Sequence, residues 1–283
     1  MRVVTELREM QKIADDLRAS GKRIGVVPTM GFLHEGHLSL MRIARKHSDF
    51  VITTLFVNPT QFGPKEDFAR YPRDFERDRR LAEEAGSDVL FMPTTEDIYP
   101  AGYATFVNVE GITDLLEGKS RPGHFRGVAT VVAKLFNITK PHVAVFGQKD
   151  AQQAAVIRQM TRDLNFDIQI IVAPIVREAD GLAMSSRNSY LSSQQRKEAV
   201  VLFESLRLAE KRIAEGVVES SAMREEMARH MTKFSAGEID YISIADHETL
   251  SELDQMSKGK TVLISMAVRF GTTRLIDNIV VKV

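Results

Sequence analysis

Two apolar runs, Arg23-Ile24-Gly25-Val26-Val27-Pro28-Thr29 and Phe50-Val51-Ile52-Thr53-Thr54-Leu55-Phe56-Val57, flank a stretch of helical periodicity over residues 36–47. Strand, helix and strand in that order within ~30 residues make a βαβ unit, whose crossover is right-handed and whose strands are parallel. The alternation extends in both directions. Upstream, Leu7, Met10, Ala14 and Leu17 recur at helical spacing after Thr5, a candidate cap, and Gly21 stands where such a helix would stop. A helix is therefore expected before any strand. Downstream, Asp74 can cap a helix that Gly86 closes, and residues 89–92 read as a strand. Residues 128–139, 142–146, 151–164 and 168–173 continue as helix, strand, helix and strand. This predicts an α/β fold with a doubly wound, Rossmann-like parallel sheet.

Beyond Pro174 the rhythm changes. Two long polar helices are expected over 193–214 and 219–234, followed by strands over 239–244, 261–268 and 279–283. The chain thus reads as two domains, 1–175 and 176–283. The second is a smaller α+β domain expected to close over the active site, with residues 177–188 as the connection. Hydrophobic residues at 43% and charged residues at 27% suit an ordinary soluble globular protein, so both parts can bury a core.

Lysine plus arginine (38) balance aspartate plus glutamate (38), which leaves no global field to hold a polyanion such as nucleic acid. An anionic ligand must be held by a local site. The absence of cysteine excludes disulfides, thiolate catalysis and cysteine-ligated zinc, and suits a reducing cytosol. The residues after Met1 turn polar at once, without the apolar core of a signal peptide, and the longest apolar stretches fall short of the ~18–20 residues that span a bilayer. A cytoplasmic protein with no membrane partner is expected.

Three constellations could carry chemistry. His34-Glu35-Gly36-His37 follows the first βαβ strand and opens the next helix, where ligands of a parallel sheet bind and where exposed amides and the helix dipole favour phosphate. Zinc ligation is the weaker reading, because the zincin pattern needs histidines four apart rather than three. Two ordinary surface histidines are the other alternative. Gly147-Gln148-Lys149-Asp150 again follows a strand and opens a helix; lysine supplies a point charge for phosphate, and aspartate can approach magnesium or a ribose hydroxyl. Alone, it reads equally well as a solvated turn with Asp150 as cap. Met184-Ser185-Ser186-Arg187 offers two hydroxyls and a guanidinium on a glycine-containing loop, or else is an ordinary polar connection. Gln61 and Gln153 are neutral amides that can serve a small hydroxy acid without pairing off its carboxylate.

In this order the three constellations resemble the nucleotidylyltransferase superfamily, which shares His-x-Gly-His. Four strings resemble the pantothenate synthetase family within it: residues 28–37 (PTMGFLHEGH), 56–62 (FVNPTQF), 146–153 (FGQKDAQQ) and 177–188 (READGLAMSSRN). The last is the most specific, and the likeness runs essentially the full length. Position 148 is glutamine where many members carry glutamate.

The resemblance implies an ATP- and Mg2+-dependent ligase that joins pantoate to β-alanine through a pantoyl adenylate. It implies an ATP site at Met30, Gly31, Phe32, Leu33, His34, Glu35, Gly36 and His37, with His37 as proton donor and His34 helping to stabilise the pentacoordinate phosphorus. Gly147, Gln148, Lys149, Asp150, Val176, Met184, Ser185, Ser186 and Arg187 complete the nucleotide site, and Lys149 and Ser185 to Arg187 share the catalytic role. Gln61 and Gln153 hold pantoate, with Pro28, Met30 and Asn58 beside it, and Gln61 adjoins the β-alanine site. A homodimer is implied; the ligands of the metal are not. The nearest rival is a transferase of the same superfamily that adenylylates or cytidylylates a phosphorylated acceptor. A tRNA-synthetase-like nucleic-acid module is opposed by the zero net charge.

Overall fold

β-Branched and aromatic runs fold into six strands of one all-parallel sheet in the computed structural model, which describes residues 1–64 and 66–283. The strands are β1 (Arg2–Val4), β2 (Ile24–Thr29), β3 (Phe50–Leu55), β4 (Val89–Phe91), β5 (Val143–Gly147) and β6 (Gln169–Ala173), in the order β1-β4-β3-β2-β5-β6. Their connections contain α1 (Leu7–Ala19), α2 (Glu35–His47), α3 (Phe75–Glu84), α4 (Thr95–Ile98), α5 (Leu116–Ser120), α6 (His124–Thr139) and α7 (Ala151–Asp163).

Successive strand side chains point to opposite faces, so one strand feeds two cores. Ile24, Val26, Ile52, Phe91 and Phe146 pack with α1, α6 and α7. Val27, Val51, Leu90, Val143 and Val145 pack with α2 and α3. The helix after β2 therefore covers one face and the helix after β5 the other. Because β2 and β5 are neighbours, this is the sheet's switch point, where a ligand crevice opens outside the strand ends.

By contact the chain forms two units, Met1–Gln148 with Gln152–Pro174, and Lys149–Ala151 with Ile175–Val283. The second contains α8 (Ser193–Glu198), α9 (Val201–Ala214), α10 (Ser220–Phe234) and an antiparallel sheet of β7 (Glu238–Asp246), β8 (Thr261–Phe270) and β9 (Thr273–Lys282). Met223, Met227 and Met231 recur along α10 and bury against Leu202, Leu206, Ile264 and Met266.

Several expectations need correction. A strand precedes the first helix: β1, only three residues long, adds to the sheet edge by pairing with β4. The cap of α1 is Glu6 rather than Thr5, and no side chain closes it. The single helix expected over 193–214 is two, because the Leu202 N–H bonds the Ala199 carbonyl in a tighter turn between them. Residues 177–188 are part of the second unit rather than a connection: Arg177 bridges Ala183, and the Met184 N–H bonds the Val176 carbonyl.

Candidate active site

The chain leaves β2 through a turn that needs two left-handed residues, Gly31 at φ 87° and Phe32 at φ 48°. The second costs on the order of 1–2 kcal/mol for an L side chain. Asp78, on α3, offsets it: its two carboxylate oxygens accept the N–H groups of Phe32 and Leu33, each at 2.7 Å. Asp78 is 1% exposed. Burial raises its carboxyl above the usual range, against the pull of the two N–H groups and of Arg77. A Cβ on Gly31 would lie 2.9 Å from an Asp78 oxygen, so glycine is required there.

The turn delivers His34 to the N-cap of α2 and His37 to its first turn, with ring centroids 4.1 Å apart. The His34 N–H donates to His37 Nδ1 at 3.3 Å. An accepting Nδ1 leaves the neutral ring its proton on Nε2, a donor at the positive end of the helix. Glu35 pairs instead with Arg42 on the same helix, both side chains about half exposed.

Beyond β3, Asn58 is buried and both ends of its amide are used. Its oxygen accepts Tyr99 OH at 2.8 Å and Thr60 Oγ1 at 2.9 Å; its nitrogen donates to Gln61 Oε1 at 3.0 Å and to the Gly127 carbonyl at 3.2 Å. That fixes which way the Gln61 amide faces, and Gln61 Nε2 points at Met30 Sδ, 3.1 Å away. Met30, Asn58 and Gln61 are thus brought together, with Pro28 on the adjoining strand β2.

Below Gln61 runs a relay that sequence reading missed. Glu66 accepts Arg121 Nε and Nη2 at 2.7 and 2.8 Å, Arg121 Nη1 meets His124 Nε2 at 3.0 Å, and His124 Nδ1 meets the Gln61 carbonyl at 2.8 Å. Burial, aided by Arg121, pushes His124 down to about 4, so it is neutral and donates from Nδ1. Burial opposes ionisation of Glu66, but Arg121 outweighs it and holds the carboxyl at about 2. A cavity of about 610 Å³ lies here, lined by Gln61, Phe62, Glu66, Phe106, Arg121 and His124 among others. The available signal was the string Arg121-Pro-Gly-His124 ahead of α6, which begins four residues before the expected 128.

On α7, Gln152 is spent on structure, donating to the Ile112 and Leu115 carbonyls and accepting the Glu117 N–H. Its neighbour Gln153 is half-buried, and Gly147 closes β5 beside Gln148.

In the second unit, Lys149 Nζ lies 3.8 Å from Asp150 Oδ1. Residues 176–188 form a tied hairpin: Arg196 grips Asp180, the Asn188 amide donates to the Ala183 carbonyl, and Ser185 Oγ accepts the Arg187 N–H at 3.2 Å. Val176 and Met184 are joined by a backbone bond, and Ser186 is buried in the following 3-10 turn, Ser186–Tyr190. Arg177 and Asp277, on β9, join in a bidentate pair at 2.6 and 3.0 Å.

A doubly wound parallel sheet whose switch-point loop carries paired histidines at a helix N-terminus defines a nucleotide-handling α/β enzyme. Comparison with known proteins narrows the class. Residues 2–280 match the family model described as pantoate-beta-alanine ligase. Pantothenate synthetase of Acetivibrio thermocellus is 54% identical over 283 residues, the whole of both chains, and that of Chloroherpeton thalassium 56% identical over 98% of each. The crystal structure of pantothenate synthetase from Thermus thermophilus superposes with a TM-score of 0.91 at 46% identity, covering 99% of each chain. Pantoate-beta-alanine ligase from Francisella tularensis, solved with an ATP compound and β-alanine, superposes with a TM-score of 0.81 at 35% identity over 99% of this chain and 97% of that one. The chain belongs to the pantoate–β-alanine ligase family.

Proposed function

We propose that this protein condenses (R)-pantoate with β-alanine in two steps on one ATP. A pantoate carboxylate oxygen attacks the α-phosphorus in line, the bond from that phosphorus to the bridging oxygen breaks, and pyrophosphate leaves behind pantoyl adenylate. The β-alanine nitrogen then attacks the acyl carbon, AMP departs, and the nitrogen loses a proton as the amide forms. The observation that carries the reading is the His34–His37 pair on a loop pinned by Asp78, in the same unit as the Met30–Asn58–Gln61 cluster.

His37 donates from Nε2 to the phosphoryl oxygens, and His34 supports the same charge. Met30 to Leu33 and the amides opening α2 face the phosphates; Gly147, Gln148 and Val176 contribute backbone, and Met184 apolar surface, to the nucleotide. Lys149, Ser185, Ser186 and Arg187 take the phosphoryl oxygens and the departing pyrophosphate. Gln61 and Gln153 hold pantoate between Pro28 and Met30, and Gln61 also borders β-alanine.

Magnesium fits this donor set as an ion carried on ATP phosphates, since Mg2+ commonly keeps waters and uses one or two carboxylates. No cluster of three acidic or histidine ligands occurs among the described residues, whereas Asp150, half exposed beside Lys149, is available to it. Bound there, the ion would neutralise the polyphosphate. Homodimerisation rests on the family resemblance and a cytoplasmic location on the cysteine-free composition; no helix among the described residues is long and apolar enough to cross a membrane.

The test is a turnover assay with ATP, magnesium, pantoate and β-alanine. Pyrophosphate and AMP appear in equal amounts, and sustained release requires both organic substrates. A nucleotidyl product retained at the end, with no AMP, would identify a transferase and overturn the proposal.

A further inference from the structure

We infer that Asp277 and Asn278, adjacent on strand β9, are positioning residues that hold two phosphate-binding segments in register for adenylate formation. The inference rests on the reading of Lys149 and Ser185 to Arg187 as groups that act on ATP phosphates. Asn278 Nδ2 donates to the main-chain carbonyl of Lys149 at 3.0 Å. Asp277 accepts both terminal nitrogens of Arg177, at the root of the loop that carries the twin serines. The two residues are themselves joined, the Asn278 N–H donating to Asp277 Oδ1 at 2.8 Å.

The platform is stiff. Asp277 and Asn278 sit mid-ladder opposite Met266 and Ser265, and both are almost fully buried. The Arg177 Nη1 that meets Asp277 also donates to the Gly181 carbonyl at 3.0 Å, and its guanidinium lies over the Phe203 ring at 4.4 Å. Gly181, at φ 95°, has no room for a side chain, because a Cβ would fall 2.0 Å from Phe203. A bidentate pair and a glycine lock leave the hairpin a single seat.

Two polar residues inside a strand are costly to bury unless every polar atom is used. Here their partners are the Lys149 main chain and the Arg177 side chain, so the burial spends its hydrogen bonds on two segments far apart in sequence. A lysine aimed at a developing charge loses its effect when its backbone shifts by about 1 Å, which can cost ~100-fold in rate. The platform bears on adenylate formation and leaves aminolysis alone, because only the first step expels pyrophosphate.

The experiment separates the half-reactions in the full chain: single-turnover formation of pantoyl adenylate from ATP and pantoate, and β-alanine attack on supplied pantoyl adenylate. Asn278→Asp keeps the shape but sets a carboxylate against the Lys149 carbonyl; Asn278→Ser is the second variant should the first fail to fold. Adenylation is expected to fall ~10–100-fold, with aminolysis unchanged. Asp277→Asn should act in the same direction. Combined with Lys149→Ala, the Asn278 variant should add nothing, because it acts through that lysine. Equal slowing of both half-reactions, or a double mutant slower by the product of the two factors, overturns the inference. Unimpaired adenylation by Lys149→Ala itself would instead bring down the phosphate-binding reading, and the inference with it.

Discussion

His37 Nδ1 accepts the backbone N–H of His34, so the residue that opens helix α2 sets the tautomer of the residue one turn in. Proton placement follows from that bond, and it gives the first prediction. His37→Ala should lower single-turnover formation of pantoyl adenylate by several orders of magnitude, since a positioned donor and transition-state electrostatics are each worth ~10²–10³-fold. His37→Asn, which can still accept the His34 N–H but lacks the Nε2 donor, should be nearly as slow while folding normally. Near-normal adenylate formation by either folded variant would refute the donor role.

Asp78 tests the loop that carries the histidines. Asp78→Asn leaves one acceptor for two N–H groups and turns an amide toward the other, removing the clamp that holds Phe32 at positive φ. An unsatisfied buried N–H costs ~1–3 kcal/mol. Initial-rate measurements should show KM for ATP raised about tenfold with KM for pantoate little changed, since the clamp bonds Phe32 and Leu33, on the loop proposed to face the ATP phosphates. Equal shifts in both constants would mean that Asp78 only supports the fold.

Much of this was legible in the chain, and the exceptions share a cause. β2, β3 and β5 announced themselves because strands buried on both faces are apolar almost throughout. Strand β9 was expected only from 279 because Arg274, Asp277 and Asn278 interrupt its apolar pattern; it starts at Thr273, with Asp277 paired to Arg177. Asp78 hid in the same way, inside Glu76-Arg77-Asp78-Arg79-Arg80, which reads as a solvated helix face. His34, His37, Gln61 and Lys149 could be picked out from their place at strand ends. The residues that bond to their surroundings, Asp78, His124 and Asn278, are polar groups that reach backbone atoms distant in sequence, and periodicity carries no trace of such pairings.

Gly127 gives a prediction with the opposite sign from the usual one. Glycine to alanine within a helix ordinarily stabilises by ~0.5–1 kcal/mol. A Cβ at Gly127 would stand 2.4 Å from the Thr60 carbonyl oxygen, and backbone cannot swing aside. Gly127→Ala should therefore destabilise by ~1–3 kcal/mol, measured by denaturant unfolding. By displacing the Asn58–Gln61 loop it should also raise KM for pantoate more than KM for ATP. A variant as stable as the parent would show that α6 can retreat from this loop.

The relay beneath Gln61 predicts how stability depends on pH. The His124 ring falls from its ordinary 6.5 to about 4 in the folded protein, so between those values the unfolded chain binds a proton that the folded chain refuses. The resulting stability is fully present above pH 6.5 and is lost as pH falls toward 4, up to about 3 kcal/mol. Glu66 works in a lower window: with its carboxyl at about 2 rather than 4.5, its contribution persists down to pH 4.5 and then disappears. His124→Asn keeps an N–H facing the Gln61 carbonyl but cannot take up a proton. Urea unfolding across pH should show a flatter slope for this variant between pH 6.5 and about 4, while its loss of stability below that follows the parent. Parallel curves through the upper window would mean that His124 is charged in the fold and the tautomer assigned to it is wrong.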